Sequence, residues 1–350
     1  EGRQDGEKET EKRISVSSFA HNKFFYRDLV PNKMNSEVKP MTSVLIYGGK
    51  TGWIGGLMAE LLAKNPDIKV HLAESRIQNR ESTAKELDDL KPSHVLMSAG
   101  ITGRPNIDWC EDHKPETIRT NVIGTLNVAD LCNERGIHVT VYATGCIFKY
   151  DEKHPLGSGI GFTEEDAPNF DGSFYSQTKG YMEPMLKCYP NCLILRVRMP
   201  VSDDLIHRNF VTKIVKYERV INIPNSMTIL QEMLPASLAM AKAGLTGVYN
   251  FTNPGVISHN EVLDLYTKYI DPTYHYANFT VEEQAKVIKA DRSNNELDTT
   301  KLLRDMPEGI KILPIKEAFE QCFIRMKVNL TEMGWLPNNM PAEFVRAPKP

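Results

Sequence analysis

Short apolar runs that alternate with helical patterns restrict the fold of this chain more than any other feature. The apolar runs cover residues 43–47, 69–73, 94–99, 138–143 and 192–197, and a helical pattern follows each of the first four. Short continuous apolar runs are typical of strands buried on both faces, and helices between such strands indicate a parallel sheet. The pattern therefore predicts an α/β fold with a Rossmann-type, doubly wound parallel sheet.

After about residue 200 the rhythm becomes mixed, which indicates a second, smaller unit. We expect four regions: a flexible N-terminal tail (1–40), a Rossmann domain (41–205), a smaller mixed lobe with some segments returning to the first domain (206–330), and a C-terminal tail (331–350). The N-terminal tail is polar and charged, with too little apolar surface to offset the entropy of ordering. Two capping boxes, Ser258 with Glu261 and Thr280 with Glu283, predict helix starts in the second lobe.

The composition excludes several classes of function. The 350 residues are 41% hydrophobic and 25% charged, with a net charge of -3, so no broad basic field favours nucleic acid. No apolar run approaches the roughly 20 residues that a membrane-spanning helix needs. The six cysteines are sparse and lie in apolar runs, which favours reduced thiols and no metal site. We expect a cytoplasmic protein that binds neither nucleic acid nor membrane.

A glycine-rich turn joins the first predicted strand to the first predicted helix. Its spacing is Gly49-x-x-Gly52-x-x-Gly55. Glycines at these positions let the backbone approach a pyrophosphate, whose charge is stabilised by the N-terminal end of the helix. An ordinary tight turn is the alternative, but the flanking strand and helix favour a dinucleotide. The residues expected to contact it here are Gly49, Lys50, Thr51, Gly52, Trp53, Ile54 and Gly55.

The end of the second strand bears on the choice between NADPH and NADH. Arg76 and Lys50 would hold a 2′-phosphate, which favours NADPH. Glu74 could instead bind the ribose hydroxyl, so NADH stays open.

The third strand and the following helical pattern supply further predicted contacts to the dinucleotide. Ala99 and Gly100, at the strand end, would form a wall beside the adenosine half. Asn121 lies inside a predicted helix from Pro115 to Arg135, and would place a polar group near the site.

A tyrosine and a lysine have the spacing of a proton-transfer pair. Tyr175 and Lys179 are four residues apart in a predicted helix, so their side chains share one face. A nearby ammonium would lower the pKa of the phenol, which could then pass a proton to a carbonyl oxygen as a hydride arrives. On the spacing alone, a tyrosine and a lysine four residues apart would usually be ordinary surface residues. The position of this pair after the glycine turn and after Thr144, at the end of the fourth strand, favours a nicotinamide-dependent site. Pro184 is expected to kink or end the helix.

Longer stretches of the sequence are similar to a known family. They are Tyr47-Gly-Gly-Lys-Thr-Gly-Trp-Ile-Gly-Gly56, Gly103-Arg-Pro-Asn-Ile-Asp-Trp-Cys-Glu111, Tyr142-Ala-Thr-Gly-Cys-Ile-Phe148, Asp151-Glu-Lys-His-Pro155, Arg196-Val-Arg-Met-Pro200, Ile223-Pro-Asn-Ser-Met227 and Asn250-Phe-Thr-Asn-Pro-Gly255. On these stretches the chain resembles the extended short-chain dehydrogenases/reductases and, within them, the eukaryotic nucleotide-rhamnose synthases. The resemblance covers roughly residues 41–316.

The resemblance implies an activity and a set of catalytic residues. Thr144, Tyr175 and Lys179 match the family's reductase set, while Cys146 and Lys213 match its acid/base pair for epimerisation. The implied reaction is NADPH-dependent epimerisation at C3 and C5, with reduction at C4, of UDP- or dTDP-4-keto-6-deoxy-D-glucose. Its product is UDP- or dTDP-β-L-rhamnose.

The residues themselves leave alternatives open. Cys146 could equally be a small buried hydrophobe, and Lys213 a solvated helix charge. One alternative function is a reductase that acts only at C4, with a separate epimerase supplying its substrate. Another is a non-catalytic subunit that binds NADP and regulates a second enzyme. The sequence does not fix the oligomeric state and leaves a homodimer open.

Three residues are candidates for the nucleotide half of the substrate. Arg292 and Asn209 are expected to contact the diphosphate, and Arg104, in the loop after the third strand, is a weaker candidate. Arginine suits this role because its planar guanidinium donates two hydrogen bonds to a pyrophosphate at once. Each of the two arginines could instead belong to a surface ion pair.

Overall fold

The computed structural model describes residues 39–103, 106–336 and 338–344. These ranges contain ten strands: β1 (Ser43–Tyr47), β2 (Lys69–Leu72), β3 (His94–Met97), β4 (His138–Thr144), β5 (Cys192–Val197), β6 (Pro200–Val201), β7 (Arg219–Val220), β8 (Thr228–Ile229), β9 (Gly247–Asn250) and β10 (Ala277–Asn278). The same ranges contain twelve α-helices: α1 (Trp53–Ala63), α2 (Arg80–Leu90), α3 (Trp109–Asp112), α4 (Lys114–Ile118), α5 (Thr125–Glu134), α6 (Phe174–Leu186), α7 (Phe210–Lys216), α8 (Leu230–Lys242), α9 (His259–Tyr269), α10 (Val281–Ala285), α11 (Thr300–Asp305) and α12 (Ile315–Glu332). Most of the predicted N-terminal tail and the end of the C-terminal tail lie outside the described residues.

Six parallel strands form the main sheet, in the order β2-β1-β3-β4-β5-β9. All five strands expected from the apolar runs lie in this sheet, so the Rossmann-type fold is confirmed. The sixth strand, β9, comes from the second half of the chain and pairs with β5, with Leu193 opposite Gly247 and Arg196 opposite Asn250. One edge of the main sheet is therefore built by a segment that returns from beyond residue 206.

Alternate residues of the central strands face two different helix layers. In β1, Leu45 and Tyr47 pack in a cluster with residues of α2, α5 and α6, whereas Val44 and Ile46 pack with residues of α1 and α8. All four side chains are at most 1% exposed. Full burial of a large apolar side chain contributes about 1.5–3 kcal/mol. Burial on both faces explains why the strand sequences are continuously apolar.

A separate apolar cluster joins α7, α9 and α12. Its largest members include Tyr266, Phe319 and Phe323, which are fully buried. Both expected capping boxes are present in this half of the chain, one at Ser258 before α9 and one at Thr280 before α10. In each, a hydroxyl and a glutamate satisfy backbone N–H groups at the helix start.

The segment after α12 also packs on this cluster. Trp335, Leu336, Met340 and Phe344 contact it, and the Tyr266 hydroxyl donates a hydrogen bond to the Phe344 oxygen at 3.3 Å. The described part of the predicted C-terminal tail therefore contributes to a core, because its few apolar side chains are held against α9 and α12.

Three further observations concern the whole of the described chain. Within it, no helix is both long and apolar enough to cross a membrane. The six cysteines are free thiols. No group of three His, Cys, Asp or Glu side chains among the described residues could hold a metal ion.

Candidate active site

A crevice at the carboxyl end of the sheet contains the glycine-rich turn. Since β1 lies between β2 and β3, the connections that follow β1 and β3 diverge, and such a point is the usual ligand site of these sheets. Gly48 follows β1 with a φ of +86°, and a Cβ there would lie 2.9 Å from the Ala99 nitrogen. The turn and the end of β3 therefore touch, and glycine is needed at position 48. Gly48 is missing from the predicted contacts, although its place directly after an apolar strand was a signal for it.

Two more glycines allow the turn to pack closely. A Cβ on Gly52 or on Gly55 would lie closer than 3.0 Å to the Gly48 carbonyl. Gly52 is the N-cap of α1 and has no side-chain cap, and the first turn of α1 carries no acidic residue. The first N–H groups of α1 and the positive end of its dipole can therefore receive an anion. The predicted residues 49–55 all lie in this turn or at the start of α1, and this set of donors fits a dinucleotide pyrophosphate.

Charged side chains gather at the end of β2, where the adenine ribose is expected. The Lys50 ammonium forms an ion pair with the Glu74 carboxylate, and Arg76 is exposed two residues further on. Glu86, on α2, accepts hydrogen bonds from the Glu74 nitrogen at 2.6 Å and from the Ser75 hydroxyl at 2.5 Å. A 2′-phosphate would therefore compete with Glu74 for Lys50. Glu86 had no signal in the sequence, because its contact depends on how α2 packs.

Gly100, Asn121 and Lys179 meet beyond the end of β3. A Cβ on Gly100 would lie 3.4 Å from the Asn121 Oδ1 and 4.0 Å from the Lys179 Nζ. Asn121 is fully buried, and its side chain holds the backbone of Ile101: Oδ1 accepts from the nitrogen and Nδ2 donates to the oxygen, both at 2.8 Å. Three residues that the sequence placed separately near the cofactor thus share one small region.

The helix that carries Asn121 contains a turn of a different type. The sequence predicts a helix over residues 115–135, and the structure is helical over residues 114–134, with α4 and α5 joined by a π-helical turn, Arg119–Gly124. A π-helical turn holds an extra residue, and such turns are frequent at functional sites. Here it accompanies the contact of Asn121 with Ile101. The π-helical turn was not visible in the sequence, because hydrophobic periodicity does not record such a contact.

Helix α6 carries the predicted tyrosine and lysine. It begins after Ser173, whose hydroxyl accepts a hydrogen bond from the Ser176 nitrogen at 3.2 Å. The helix continues through Pro184 and ends two residues later, at Leu186. Pro184 therefore lies well beyond Tyr175 and Lys179, and leaves the turn that carries them intact.

Burial controls the charge state of both groups. Lys179 is 8% exposed, and burial lowers its pKa to about 8. Burial raises the pKa of Tyr175, the Cys146 thiol raises it further, and the Thr144 hydroxyl acts in the opposite direction. The expected lowering of the phenol pKa by Lys179 is therefore wrong, because desolvation dominates. Tyr175 is a neutral phenol, which is the form that can donate a proton.

Thr144 and Cys146 lie beside Tyr175 at the end of β4. Thr144 is the last residue of the strand, and its Oγ1 accepts a hydrogen bond from the Cys146 nitrogen at 3.1 Å. Cys146 is a partly exposed free thiol, and both residues influence the pKa of Tyr175. Three of the five predicted catalytic side chains therefore meet here, with Lys179 one helical turn away from Tyr175.

Lys213, the fifth predicted catalytic residue, lies on α7 and is partly buried. Burial lowers its pKa, and the charge of Arg208 acts in the same direction. A lysine with a lowered pKa suits proton transfer near neutral pH. Its pairing with Cys146 stays a prediction.

Arg292 lines a cavity together with residues of several other segments. The cavity has a volume of about 380 Å³, and Tyr150 and Asn294 also line it. The Arg292 Nη1 donates a hydrogen bond to the Asp108 carboxylate at 2.9 Å. Arg292 is therefore placed where it could meet a ligand, with its charge balanced by Asp108.

The other two residues predicted to contact the diphosphate are Asn209 and Arg104. Asn209 is fully buried and caps α7, since its Oδ1 accepts from the Val211 nitrogen at 3.1 Å. Its Nδ2 donates to the oxygens of Ser202 and Asp204 at 2.8 and 2.6 Å. A diphosphate contact of Asn209, which stays a prediction, would need one of these bonds to break. Arg104 lies outside the described residues.

A buried polar network fixes the loop that carries Cys146. The Asn295 Nδ2 donates to the oxygens of Gly145 and Phe148 at 3.1 and 2.9 Å, and the Ser293 hydroxyl donates to the Phe148 oxygen at 2.6 Å. The Arg198 Nη1 donates to the Gly145 oxygen at 3.3 Å. The backbone is thus held on both sides of the thiol. Sequence reasoning missed these residues, because polar side chains so far apart in the chain form no local pattern.

The fold and the site define an extended short-chain dehydrogenase/reductase. A parallel sheet has a glycine turn after its first strand, and a tyrosine and a lysine one helical turn apart follow the strand that ends in Thr144. Comparison with known proteins narrows this class. Residues 41–327 match the family model described as the RmlD substrate binding domain, and the chain belongs to that family. The resemblance seen in the sequence is confirmed.

Individual proteins that are similar to this chain in sequence or structure support the assignment to this family. The chain is 61% identical over 279 residues to the bifunctional dTDP-4-dehydrorhamnose 3,5-epimerase/dTDP-4-dehydrorhamnose reductase of Arabidopsis thaliana, covering 79% of this chain and 92% of the relative. The crystal structure of a UDP-rhamnose synthase from Acanthamoeba polyphaga mimivirus matches with a TM-score of 0.76 and 37% identity, over 81% of this chain and 99% of that one. A dTDP-4-dehydrorhamnose reductase from Bacillus anthracis, solved in complex with NADP, has the same fold, with a TM-score of 0.68, 19% identity, and coverage of 82% and 99%.

Proposed function

We propose that this chain converts a UDP- or dTDP-4-keto-6-deoxy-D-glucose into the corresponding β-L-rhamnose nucleotide, by epimerisation at C3 and C5 and NADPH-dependent reduction at C4. The observation that carries the proposal is the meeting of Thr144, Cys146 and a neutral Tyr175 at the end of one strand. A phenol and a thiol in one place can act on neighbouring atoms of a sugar ring. The names of the Arabidopsis and mimivirus relatives support a rhamnose nucleotide and include both dTDP and UDP, so both stay in the proposal.

Reduction at C4 needs a proton donor beside the carbonyl oxygen. A bound nicotinamide dinucleotide would supply the hydride. Tyr175, kept protonated by burial, donates its proton to the C4 oxygen, and Thr144 donates a hydrogen bond to the same oxygen. Lys179, with a pKa of about 8, is largely protonated at neutral pH, and its charge favours the phenolate that remains on Tyr175.

Epimerisation uses the same carbonyl in a different way. The C4 ketone acidifies the C–H bonds at C3 and C5, so a base can remove a proton and leave an enolate. Return of a proton from the opposite face inverts the carbon, which requires one group on each side of the ring. Cys146 and Lys213 are assigned to these two positions. Thr144 and Tyr175 would hydrogen-bond the enolate oxygen, and one such donor contributes about 3 kcal/mol in comparable sites.

The proposal also covers the choice of cofactor, the parts of the chain that bind cofactor and substrate, and the oligomeric state. Lys50 and Arg76 favour NADPH over NADH, since a 2′-phosphate would replace the Glu74 carboxylate at Lys50. The dinucleotide is assigned to residues 41–205 and the sugar nucleotide mainly to 206–330. A cytoplasmic homodimer completes the proposal, and the exposed apolar side chains of α6, at Tyr181 and Met185, support such an interface.

The decisive experiment compares wild-type protein and Cys146→Ala on two substrates, the unepimerised 4-keto sugar nucleotide and the same sugar already epimerised. We expect Cys146→Ala to oxidise NADPH with the epimerised sugar and to fail with the other one. Cys188→Ala is the matched control, because Cys188 is an exposed thiol beyond the end of α6. It should behave as wild type with both substrates.

Three other results would each redirect the assignment. Full activity of Cys146→Ala on both sugars would remove Cys146 from the epimerisation step. Activity of the wild-type protein on the epimerised sugar alone would contradict a bifunctional site and leave a 4-reductase that depends on a separate epimerase. No NADPH consumption by the wild-type protein, with either sugar linked to UDP or to dTDP, would leave a non-catalytic NADP-binding subunit.

A further inference from the structure

Arg198 is a fully buried arginine whose hydrogen-bond partners are all neutral. It directly follows β5 and is 0% exposed. Its Nη1 donates to the Gly145 oxygen and the Ser293 hydroxyl, each at 3.3 Å. Its Nη2 donates to the Asn225 Oδ1 at 2.7 Å and to the Ser293 oxygen at 3.0 Å. Its Nε is buried and has no hydrogen-bond partner.

Arg196, two residues earlier, shows how a buried arginine is usually balanced. It is also 0% exposed, but it donates to the two carboxylate oxygens of Glu183 at 2.6 and 2.9 Å. In the described ranges, no carboxylate lies within ion-pair distance of Arg198. A buried charge without a counter-charge is unfavourable. A neighbouring group that becomes negative would therefore be stabilised by Arg198.

Two titratable side chains interact with Arg198. Burial lowers the pKa of Arg198, while Cys146 and then Tyr150 act in the opposite direction. Tyr150 is held as a neutral phenol, because burial, followed by the charge of Glu296, raises its pKa to about 12. Its hydroxyl also donates to the Pro224 oxygen at 2.9 Å. Tyr175, which faces Cys146 from α6, is neutral too. Cys146, whose loop Arg198 holds through the Gly145 oxygen, is the remaining titratable side chain that interacts with Arg198.

We propose that Arg198 is the counter-ion of the Cys146 thiolate and allows this thiol to act as acid and base in a partly buried site. The inference rests on the proposed function and deepens it. When the thiolate takes a proton from a ring carbon, an S–H bond forms and the C–H electron pair stays on the sugar as an enolate. In the reverse step the carbon regains the proton and the negative charge returns to sulfur, beside Arg198. Arg198 acts through Cys146 and is a positioning residue.

Alkylation with iodoacetamide tests this charge directly, because only the thiolate reacts. It needs neither substrate nor cofactor, so its outcome does not depend on sugar conversion. Peptide mass spectrometry follows Cys146 and Cys188 separately, which makes the exposed Cys188 an internal control. The first variant is Asn225→Asp, which has nearly the same size and puts a carboxylate oxygen where Nη2 now meets an amide oxygen at 2.7 Å. The second is Arg198→Lys, which keeps a cation.

We expect Asn225→Asp to slow the alkylation of Cys146 at neutral pH about tenfold, since an opposite charge nearby changes a thiol equilibrium by at least that factor. Arg198→Lys should retain most of the wild-type rate, and Cys188 should react equally in all proteins. Asn225→Asp also loses the two hydrogen bonds that Nδ2 donates to Ile223 and Asn294. The pH profile separates these effects: a lost charge slows alkylation only where the thiol is incompletely ionised, whereas a distorted loop slows it at every pH.

An Asn225→Asp protein that is folded by circular dichroism and alkylates Cys146 at the wild-type rate would overturn the inference. Equal slowing at all pH values would do so as well. Arg198→Met removes the cation and should slow alkylation at least as much. If Arg198→Met does not fold, the Asn225→Asp profile decides. A charge effect on Cys146 together with full activity of Cys146→Ala on both sugars would remove the proposed epimerase role and leave the electrostatic inference intact.

Discussion

The ion pair between Arg196 and Glu183 joins β5 to the helix that carries Tyr175 and Lys179. Two nitrogens of Arg196 donate to the two oxygens of Glu183 at 2.9 and 2.6 Å, and the side chains are 0% and 3% exposed. Glu183 follows Lys179 by four residues and Tyr175 by eight, so the three share one face of α6. The pair therefore sets how α6 is rotated against the sheet.

Glu183→Gln keeps the shape of the side chain but leaves the Arg196 guanidinium buried without its counter-charge. Removing one member of a buried pair costs about 3–5 kcal/mol. Arg196→Met, which leaves the carboxylate unpaired, should cost a similar amount. Independent effects would add to about 6–10 kcal/mol in the double variant. Because each substitution removes the charge that the other leaves uncompensated, we expect the double variant to cost no more than either single one. The coupling energy should then be at least about 3 kcal/mol.

Urea unfolding followed by circular dichroism measures all four corners of this cycle. Lys187→Met is the matched control, because Lys187 lies 3.8 Å from the same carboxylate but its side chain is 41% exposed. An exposed partner of this kind should contribute less than about 1 kcal/mol. Additive losses in the double variant, or a loss in Glu183→Gln as small as that in Lys187→Met, would refute the view that this pair holds α6.

Two further predictions concern the glycine turn and a buried histidine. A Cβ on Gly55 would lie 2.6 Å from the Ser98 hydroxyl, whereas one on Gly56 would meet nothing closer than 3.9 Å. Gly55→Ala should therefore weaken NADPH binding at least about tenfold in a fluorescence titration, equivalent to about 1.4 kcal/mol. The control Gly56→Ala should bind NADPH normally and gain up to about 1 kcal/mol of stability. Equal NADPH affinities of the two variants would contradict the assigned fit of the turn. Burial, followed by the charge of His138, lowers the pKa of His94 from 6.5 to about 4, so on acidification the unfolded chain takes up a proton before the folded one does. The stability contributed by His94 is complete above the pKa of the unfolded chain, and about 2 kcal/mol of it is lost by about pH 5. Urea unfolding should show this loss in the wild type and a smaller loss in His94→Gln. Equal losses in the two proteins would exclude His94 as the source.

The strands of the main sheet were predictable because their sequences must satisfy two apolar layers at once. The run 192–197 coincides with β5, and 138–143 with all but the last residue of β4. Each strand residue packs on one helix layer or the other, so the whole run is apolar and stands out from the helical patterns. The glycine turn was predictable for a related reason: close backbone approach excludes every side chain, and this requirement is visible in the sequence.

The pKa values of buried groups and the hydrogen-bond partners of buried amides were not predictable in the same way. The spacing of Tyr175 and Lys179 correctly placed both on α6, yet it suggested a lowered phenol pKa where burial raises it. Spacing reports which groups are close, whereas the pKa depends on how much water the fold removes around them. Asn209 gives the same lesson, because its amide is used by the start of α7 and by two backbone oxygens.

Arg196 and Arg198 show where local reasoning ends. A strand period of two places both side chains on one face, and both are fully buried, so any pattern based on type and spacing treats them alike. They differ in position relative to the end of the sheet. Arg196 still lies within β5, where α6 covers it and supplies the Glu183 carboxylate. Arg198 lies past the last residue of the strand, where the Cys146 loop and the segment around Ser293 supply only neutral oxygens. The unbalanced charge of Arg198 next to the Cys146 loop therefore arises at the carboxyl end of the sheet, where three distant segments meet. It exists only once the sheet, the Cys146 loop and the segment around Ser293 are assembled.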